Sequence, residues 1–299
     1  MENIRFFKYH ALGNDYLVLD PRDWKTPEPP SPEQIRKICH RHYGLGSDGI
    51  LFGPLPTAGN KIGLRIFNPD GSEAGKSGNG LRIFSLYLYE RERETLVKAA
   101  PNKFASPFPV VTPGGVVQCA VLDGGARIRV EMGRVSFRSD EIPVVPETPV
   151  REVISERLTV AGRHFFYCAA TVGNPHCVIP VTKTSAKLAQ EYGPFIETHS
   201  SFPNRTNVQF LEIIDRRNIR IEIWERGAGY TLASGSSSSA AAAVARKLDL
   251  CDADLTVHMP GGKIEIAIAK DFSVLMTGPA TPVGVYQARP EILLQDIIV

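Results

Sequence analysis

The sequence lacks the features that mark membrane, secreted and nucleic-acid-binding proteins. None of its apolar runs approaches the roughly 20 residues that a membrane-spanning helix needs. The N-terminus has no long apolar segment followed by small residues, which a secretory signal would require. Lysine and arginine are scattered, and the formal net charge of the 299-residue chain is only +2. These absences predict a cytoplasmic protein that binds neither membranes nor nucleic acid.

Cysteines are also few, and they are widely spaced along the sequence. The chain has five cysteines, and no two of them form a C-x-x-C pair: Cys39, Cys119, Cys168, Cys177 and Cys251. An odd number of widely spaced cysteines without clustered histidines favours reduced thiols over disulfides or a zinc site. We therefore expect no metal and no disulfide.

One glycine-rich segment could suggest a dinucleotide cofactor. Residues Gly44–Gly49 fit the pattern G-x-G-x-x-G. They follow a predicted helix (from the Ser31 cap to Arg41) and lead into an apolar strand, which reverses the strand–loop–helix order of the dinucleotide fold. The sequence also has no phosphate-binding P-loop, and no pyridoxal phosphate lysine signature is obvious. We expect no cofactor.

What the chain does contain is many short strands and few helices. Hydrophobic residues make up 43% and charged residues 22%, which is typical of a globular protein. Each half has several predicted strands and one central helix, at Leu81–Glu92 and at Ser236–Leu248. This pattern predicts an α+β fold with a weak internal repeat. Residues 1–134 with a returning strand at 285–299 form the expected N-terminal lobe, and residues 135–284 form the second.

The strongest motif occurs once in each half. A strand ends in a polar residue, a glycine-rich loop follows, and a Ser-Gly pair opens a helix. Asn68 precedes Ser77 by nine positions, and Glu225 precedes Ser234 by nine positions. A lone Ser-Gly at a helix start is usually only a cap, but two copies with matched spacing favour a shared role.

Two such helix starts suit a substrate that carries a carboxylate. The first turn of a helix offers backbone N–H groups and the positive end of the helix dipole. Small residues there let an anion approach the backbone closely. Ser77 and Ser234 would then sit beside the substrate, as required when one group removes a proton from one face of a stereocentre and another delivers a proton to the other face.

Asparagine-containing turns accompany the two motifs. Asn14 and Asn174 each follow a glycine in a tight turn between predicted strands, and Asn207 begins another strand. Each is more often a turn residue than a ligand. Asparagine side chains can nevertheless bind both a carboxylate and an ammonium group, which suits an amino acid.

Taken together, these residues resemble the diaminopimelate epimerase family. The matching segments run in order through nearly the whole chain: 8–16, 41–49, 67–73, 77–80, 173–176, 225–227, 234–237, 260–262 and 277–280. Any one of these motifs is weak, but the ordered set is specific for the family.

The resemblance implies two pseudo-symmetric lobes, each a curved mixed or antiparallel sheet around a central helix, with the active site in the cleft. It implies an isomerase of lysine biosynthesis that needs neither pyridoxal phosphate nor metal, and it suggests a homodimer. Carried over by position, the distal end of a diamino-diacid would contact Asn14, Asn68, Asn174, Asn207, Glu225 and Arg226. The reacting carboxylate would contact Gly78, Asn79, Gly235 and Ser236.

The chain departs from the family at the reaction centre. The family has a catalytic cysteine at each position that Ser77 and Ser234 occupy here. A thiol has a pKa of about 8.5 that a helix start can lower further, whereas a serine hydroxyl is far less acidic and needs an activator. The substrate cradle is thus expected to be intact and the acid–base pair impaired.

Three interpretations remain open. The chain is an impaired or altered racemase or epimerase that acts by two-base α-proton exchange. It is a diverged isomerase or lyase, such as a dehydratase, acting on another amino acid. Or it is an amino-acid-binding protein without catalytic activity.

Overall fold

The structure is a computed structural model that describes residues 3–24, 26, 28–59, 61–95, 103–146 and 148–294. The chain divides into two compact units, Met1–Val130 with Gly278–Val299, and Glu131–Thr277. These boundaries fall a few residues before those expected from the sequence. No helix in the described part of the chain is long and apolar enough to cross a membrane.

The first unit is built on a mixed sheet. Its main strands are β1 (Ile4–Ala11), β2 (Asn14–Leu19), β3 (Ile50–Pro56), β4 (Ile62–Phe67), β6 (Phe108–Thr112), β7 (Gly115–Leu122), β8 (Arg127–Arg134) and β18 (Thr281–Ala288). They pair in the order β18-β1-β2-β3-β4-β6-β7-β8, and only the β2–β3 and β4–β6 pairs are parallel.

The second unit has the same plan. Its main strands are β9 (Glu156–Val160), β10 (Arg163–Thr171), β11 (Pro175–Pro180), β12 (Asn207–Asp215), β13 (Asn218–Glu225), β15 (Asp254–Met259), β16 (Gly262–Ile268) and β17 (Ser273–Gly278). They pair in the order β9-β10-β11-β12-β13-β15-β16-β17, and only the β11–β12 and β13–β15 pairs are parallel. The pairing directions match those of the first unit strand for strand, which makes the repeat structural as well as sequential.

Two short strands were not foreseen from the sequence. Strand β5 (Glu73–Ala74) folds back on β4, and β14 (Gly229–Thr231) folds back on β13. The glycine-rich segments between each polar residue and its serine are therefore tight hairpins rather than open loops. Each hairpin carries the chain from the sheet to the start of a helix.

One helix packs on each sheet with most of its surface buried. Helix α2 (Gly78–Thr95) packs on β1, β2 and β7, and α4 (Gly235–Lys247) packs on β10, β11, β12, β13, β15 and β16. Helix α4 is buried along Ala240–Ala245, where alanines let the helix lie close to the sheet. In both units, packing fixes the N-terminus of the helix against the strand ends.

Two further α-helices are described. Helix α1 (Pro32–Cys39) begins at the cap predicted at Ser31, whose hydroxyl accepts from the Gln34 N–H, and the Gln34 side chain completes a capping box. Helix α3 (Ala186–Glu197) packs on β12 and β13 and contains Pro194. The glycine-rich segment 44–49 lies in turns between α1 and β3, as its order in the sequence indicated.

Strand β9 starts at Glu156, directly after a local turn. Ser155 has a φ of 54°, outside the extended region, and its N–H donates to the Cys168 sulfur. This local turn delays the strand.

Candidate active site

In the first unit, Ser77 caps helix α2. Its Oγ accepts the Gly80 N–H at 3.0 Å, and its carbonyl accepts the Leu81 N–H at 2.9 Å. A side chain at Gly80 would bring its Cβ to 2.9 Å from Leu51 and 3.3 Å from the Ser77 Oγ. The glycine therefore allows the serine hydroxyl to lie against the first turn, at the positive end of the helix dipole.

Ser234 occupies the same place in the second unit. Its Oγ accepts the Ser237 N–H at 3.4 Å, and its carbonyl accepts the Ser238 N–H at 3.0 Å. The Ser236 hydroxyl lies 3.4 Å from the Ser234 Oγ. Ser234 is 4% exposed, whereas Ser77 is half-buried. Each unit thus presents one serine hydroxyl at the start of its buried helix.

A chain of hydrogen bonds holds two predicted site residues of the first unit. The Arg82 guanidinium donates to the Asn79 Oδ1 at 2.9 Å and to the Pro279 carbonyl at 3.2 Å. The Asn79 Nδ2 donates to the Asn14 Oδ1 at 3.0 Å, and the Asn14 Nδ2 donates to the Asp48 Oδ2 at 2.9 Å. Because a cation lies at one end and a carboxylate at the other, the orientation of both amides is fixed.

Arg82 is a fully buried cation, with 0% of its surface exposed. Burial lowers the pKa of its guanidinium to about 10, so the group is charged at neutral pH. Sequence reasoning missed Arg82 because arginine is almost never fully buried unless it has partners. Its place one turn after Asn79 on α2 was the only available signal.

Charged side chains surround the Asp48 end of this series of hydrogen bonds. Arg41 contacts the Asp15 and Asp48 carboxylates at 2.7 Å each, and Lys8 contacts Asp15 at 2.9 Å. Burial tends to raise the pKa of Asp15, but hydrogen bonds from Arg41 and Lys8 outweigh it and hold the pKa below its usual value. Asp15 therefore remains ionised and holds the turn after β1 in place.

Asn68 lies apart from this chain of bonds. Its Nδ2 donates to the Ser72 Oγ at 3.0 Å, and its N–H donates to the Ser72 carbonyl at 2.9 Å. These bonds close the hairpin turn between β4 and β5. The side chain is half-buried at the end of β4.

In the second unit, two predicted site residues meet at the helix start. The Asn174 Nδ2 lies 3.5 Å from the Ser236 Oγ, and its Oδ1 lies 3.0 Å from the His176 Nε2. Burial lowers the pKa of His176 to about 3, so the imidazole is uncharged at neutral pH. The polar contacts therefore run from His176 through Asn174 and Ser236 to Ser234.

Asn207 supports the neighbouring turn. Its Oδ1 accepts the Arg226 N–H at 3.0 Å, and its Nδ2 donates to the Pro175 carbonyl at 2.8 Å. The Arg226 side chain donates to the Asn204 carbonyl at 3.0 Å, and Glu225 ends β13. Asn207 thus binds main-chain atoms at both ends of its amide and positions the backbone of Arg226.

The buried carboxylate of Glu197, which the sequence did not reveal, binds the turn that follows β13. Glu197, 4% exposed at the end of α3, accepts the Gly227 N–H at 2.8 Å and the Trp224 indole N–H at 2.7 Å. It also pairs with Arg205. The turn that carries Glu225 and Arg226 is therefore held from several sides.

The described residues contain no group of three or more His, Cys, Asp or Glu side chains placed to hold a metal ion. The five cysteines are all buried and free. Each unit brings together a helix start, a serine hydroxyl and asparagine amides.

Several solved structures share this fold. A probable proline racemase from Agrobacterium radiobacter superposes with a TM-score of 0.69 at 13% identity, covering 97% of this chain and 95% of its own. A hydroxyproline epimerase from Agrobacterium vitis superposes with a TM-score of 0.68 at 13% identity, covering 96% and 94%. The chain therefore has the same fold as these two proteins.

Sequence comparison identifies the family. The model of diaminopimelate epimerase matches residues 6–138 and 168–283. Diaminopimelate epimerase 2 of Nostoc sp. is 52% identical over 296 residues, which is 99% of each chain. Diaminopimelate epimerase of Pelotomaculum thermopropionicum is 38% identical, over 96% of this chain and 100% of its own. The chain belongs to the diaminopimelate epimerase family, as the ordered motifs predicted.

Proposed function

We propose that the chain exchanges the α-proton of diaminopimelate or a closely similar diamino-diacid, as an epimerase whose two proton-carrying positions are Ser77 and Ser234. The observation that carries the proposal is the matched position of the two hydroxyls, each at the cap of a buried helix. Ser77 would exchange a proton with one stereoisomer, and Ser234 with the other.

The substrate contacts follow from each helix start. Backbone N–H groups of Gly78 and Asn79 in one unit, and of Gly235 and Ser236 in the other, suit a carboxylate. Asn14, Asn68, Asn174, Asn207, Glu225 and Arg226 would bind the distal amino and carboxylate groups. Arg82 and Asp48 set the orientation of the amides of Asn79 and Asn14, one from each group.

Because Ser77 and Ser234 replace thiols with weakly acidic hydroxyls, we expect α-proton exchange to be slow. A helix start stabilises a developing negative charge by on the order of 1 kcal/mol, which is far too little to ionise an aliphatic hydroxyl at neutral pH. The neighbouring groups at Ser234 are neutral: Ser236, Asn174 and an uncharged His176. We therefore expect the cradle to bind well and the proton transfer to limit the rate.

The test is a proton-exchange experiment with the unchanged chain. Incubation with LL- and meso-diaminopimelate in D₂O should place deuterium at the α-carbon and slowly interconvert the two isomers, as followed by NMR and chiral separation. A keto acid or an alkene would instead indicate a lyase. A raised melting temperature with neither exchange nor product would indicate a binding protein, because a ligand stabilises the native state that binds it.

We further propose that the protein forms a homodimer in the cytoplasm. Seven successive residues of β18 are exposed, including Val283 at 51% and Val285 at 59%, while one edge of the strand pairs with β1. An exposed apolar edge strand is a template for pairing with another chain. The five buried free thiols suit a reducing compartment.

We expect Val285→Lys to shift the protein from dimer to monomer in sedimentation experiments, because a charge on the edge strand opposes pairing. Val116→Lys, which changes a valine of β7 that is 52% exposed, is the matched control and should leave the dimer intact. A monomer before any substitution, or a dimer that survives Val285→Lys, would contradict this proposal.

A further inference from the structure

Tyr16 is a buried side chain whose hydroxyl reaches the candidate reaction centre. It lies on β2 and is 6% exposed, and its Oη is 3.5 Å from the Ser77 Oγ. Polar contacts at catalytic centres are often long without substrate and shorten when substrate binds.

Gly49 makes room for the tyrosine ring. A Cβ at this position would lie 2.7 Å from the Tyr16 Cε1 and 2.3 Å from the Phe67 carbonyl oxygen. Both distances are shorter than carbon atoms tolerate, and one neighbour is backbone. The ring therefore fills a space that only glycine leaves open, which fixes the direction of its hydroxyl toward Ser77.

The second unit has a different residue at the equivalent place. Gly13-Asn14 precedes Tyr16 as Gly173-Asn174 precedes His176, at the starts of the matching strands β2 and β11. His176 contacts Asn174 through its Nε2, while the hydroxyl beside Ser234 is that of Ser236. The Tyr230 phenol of the second unit donates to Glu222 at 2.6 Å. The contact between phenol and serine is thus a feature of the first unit.

We propose that Tyr16 is the activator of Ser77, which otherwise lacks the acidity for proton transfer. A phenol ionises near pH 10, far more readily than an aliphatic hydroxyl. As the Ser77 oxygen takes the α-proton, the Ser77 hydroxyl proton passes to the Tyr16 phenolate, and the electron pair of the broken C–H bond stays on the α-carbon. In the reverse direction the phenol returns its proton through Ser77. Because Tyr16 acts through Ser77, it is a positioning residue.

This inference rests on the proposed function, and four variants, assayed beside the Ser77→Cys/Ser234→Cys chain, test it separately. Tyr16→Phe removes only the hydroxyl, and it is made in the unchanged chain and in a Ser77→Cys background. Tyr87→Phe is the matched control, since Tyr87 is also a buried tyrosine of this unit and its hydroxyl donates to Asp20 at 2.7 Å. Each variant is assayed for α-deuterium uptake by diaminopimelate from pH 6 to pH 10.

We expect Tyr16→Phe to lower exchange about 100-fold in the serine background, the usual size of an acid–base contribution. It should also abolish the rise of rate with pH that a phenol produces. In the Ser77→Cys background the effect should be at most about threefold, because a thiol ionises without help. Tyr87→Phe should keep the same rise of exchange rate with pH as the unchanged chain.

The outcomes separate this inference from the proposal on which it rests. Equal losses in the two backgrounds, or an unchanged pH profile, would show that Tyr16 only fills space. Exchange by a Ser77→Cys/Ser234→Cys chain but none by the unchanged chain would overturn both the activation of Ser77 and turnover by the unchanged chain, and would leave only the epimerase scaffold standing. Exchange by neither would overturn the proposed function, and this inference with it.

Discussion

Replacing Ser77 and Ser234 together with cysteine is expected to raise α-proton exchange of diaminopimelate by about 100-fold or more. General acid–base groups of matched pKa contribute 10²–10⁴-fold to rates. A thiol has a pKa near 8.5, and a helix N-terminus lowers it further, so a useful fraction is ionised near neutral pH. Both positions already cap a buried helix, so the new sulfur would lie at the same helix start as the hydroxyl.

Matched serines elsewhere in the same helices control for the new thiols. Ser85 on α2 and Ser239 on α4 are fully buried, and their hydroxyls donate to backbone carbonyls one turn back, at 2.7 Å and 2.8 Å. Ser85→Cys/Ser239→Cys should therefore leave the exchange rate within about threefold of the unchanged chain. If the exchange rate does not rise in Ser77→Cys/Ser234→Cys, or rises equally in both double variants, the helix starts are not the proton-carrying positions.

Acid is expected to destabilise the second unit through His176, by about 2 kcal/mol between pH 7 and pH 5. Burial lowers the pKa of this imidazole to about 3 in the folded chain, whereas in the unfolded chain it titrates near 6.5. Between these two values only the unfolded state binds the proton. The stability is therefore fully present above about pH 6.5 and is lost, by about 1.4 kcal/mol per pH unit, as the pH falls toward 3.

Urea unfolding of His176→Gln checks this expectation. Glutamine can still bond to Asn174 but does not titrate. Between pH 7 and pH 5 the variant should therefore lose about 2 kcal/mol less unfolding free energy than the unchanged chain. His42→Gln changes an exposed histidine and should keep the original pH dependence. If His176→Gln and the unchanged chain lose stability in parallel, His176 is not the buried neutral group described here.

The sequence predicted the parts of the fold and site that repeat. Strand alternation, the Ser31 cap and the two helices that follow Ser77 and Ser234 were all visible in the residue pattern, and the ordered motifs identified the family. The spacing of nine residues before each serine is also structural, since it holds a turn and a two-stranded return, β4–β5 and β13–β14.

Other features were invisible because they depend on contacts between distant residues. The sequence shows Arg82 only as a residue of the helix after Ser77, and its role appears once burial places it against Asn79 and Pro279. Asn207 is proposed to bind substrate, and in the structure its amide also binds main-chain atoms at both ends. The role proposed for Tyr16 depends on the contact between its hydroxyl and Ser77.

The central claim is that Ser77 and Ser234 serve opposite stereoisomers, and the two single-thiol chains test it most directly. Ser77→Cys and Ser234→Cys are each given LL- and meso-diaminopimelate in D₂O, and the initial rate of α-deuterium uptake is compared between isomers. The account predicts opposite preferences: the isomer that exchanges faster with one thiol should exchange more slowly with the other. The same preference in both chains, or exchange with neither, would contradict it.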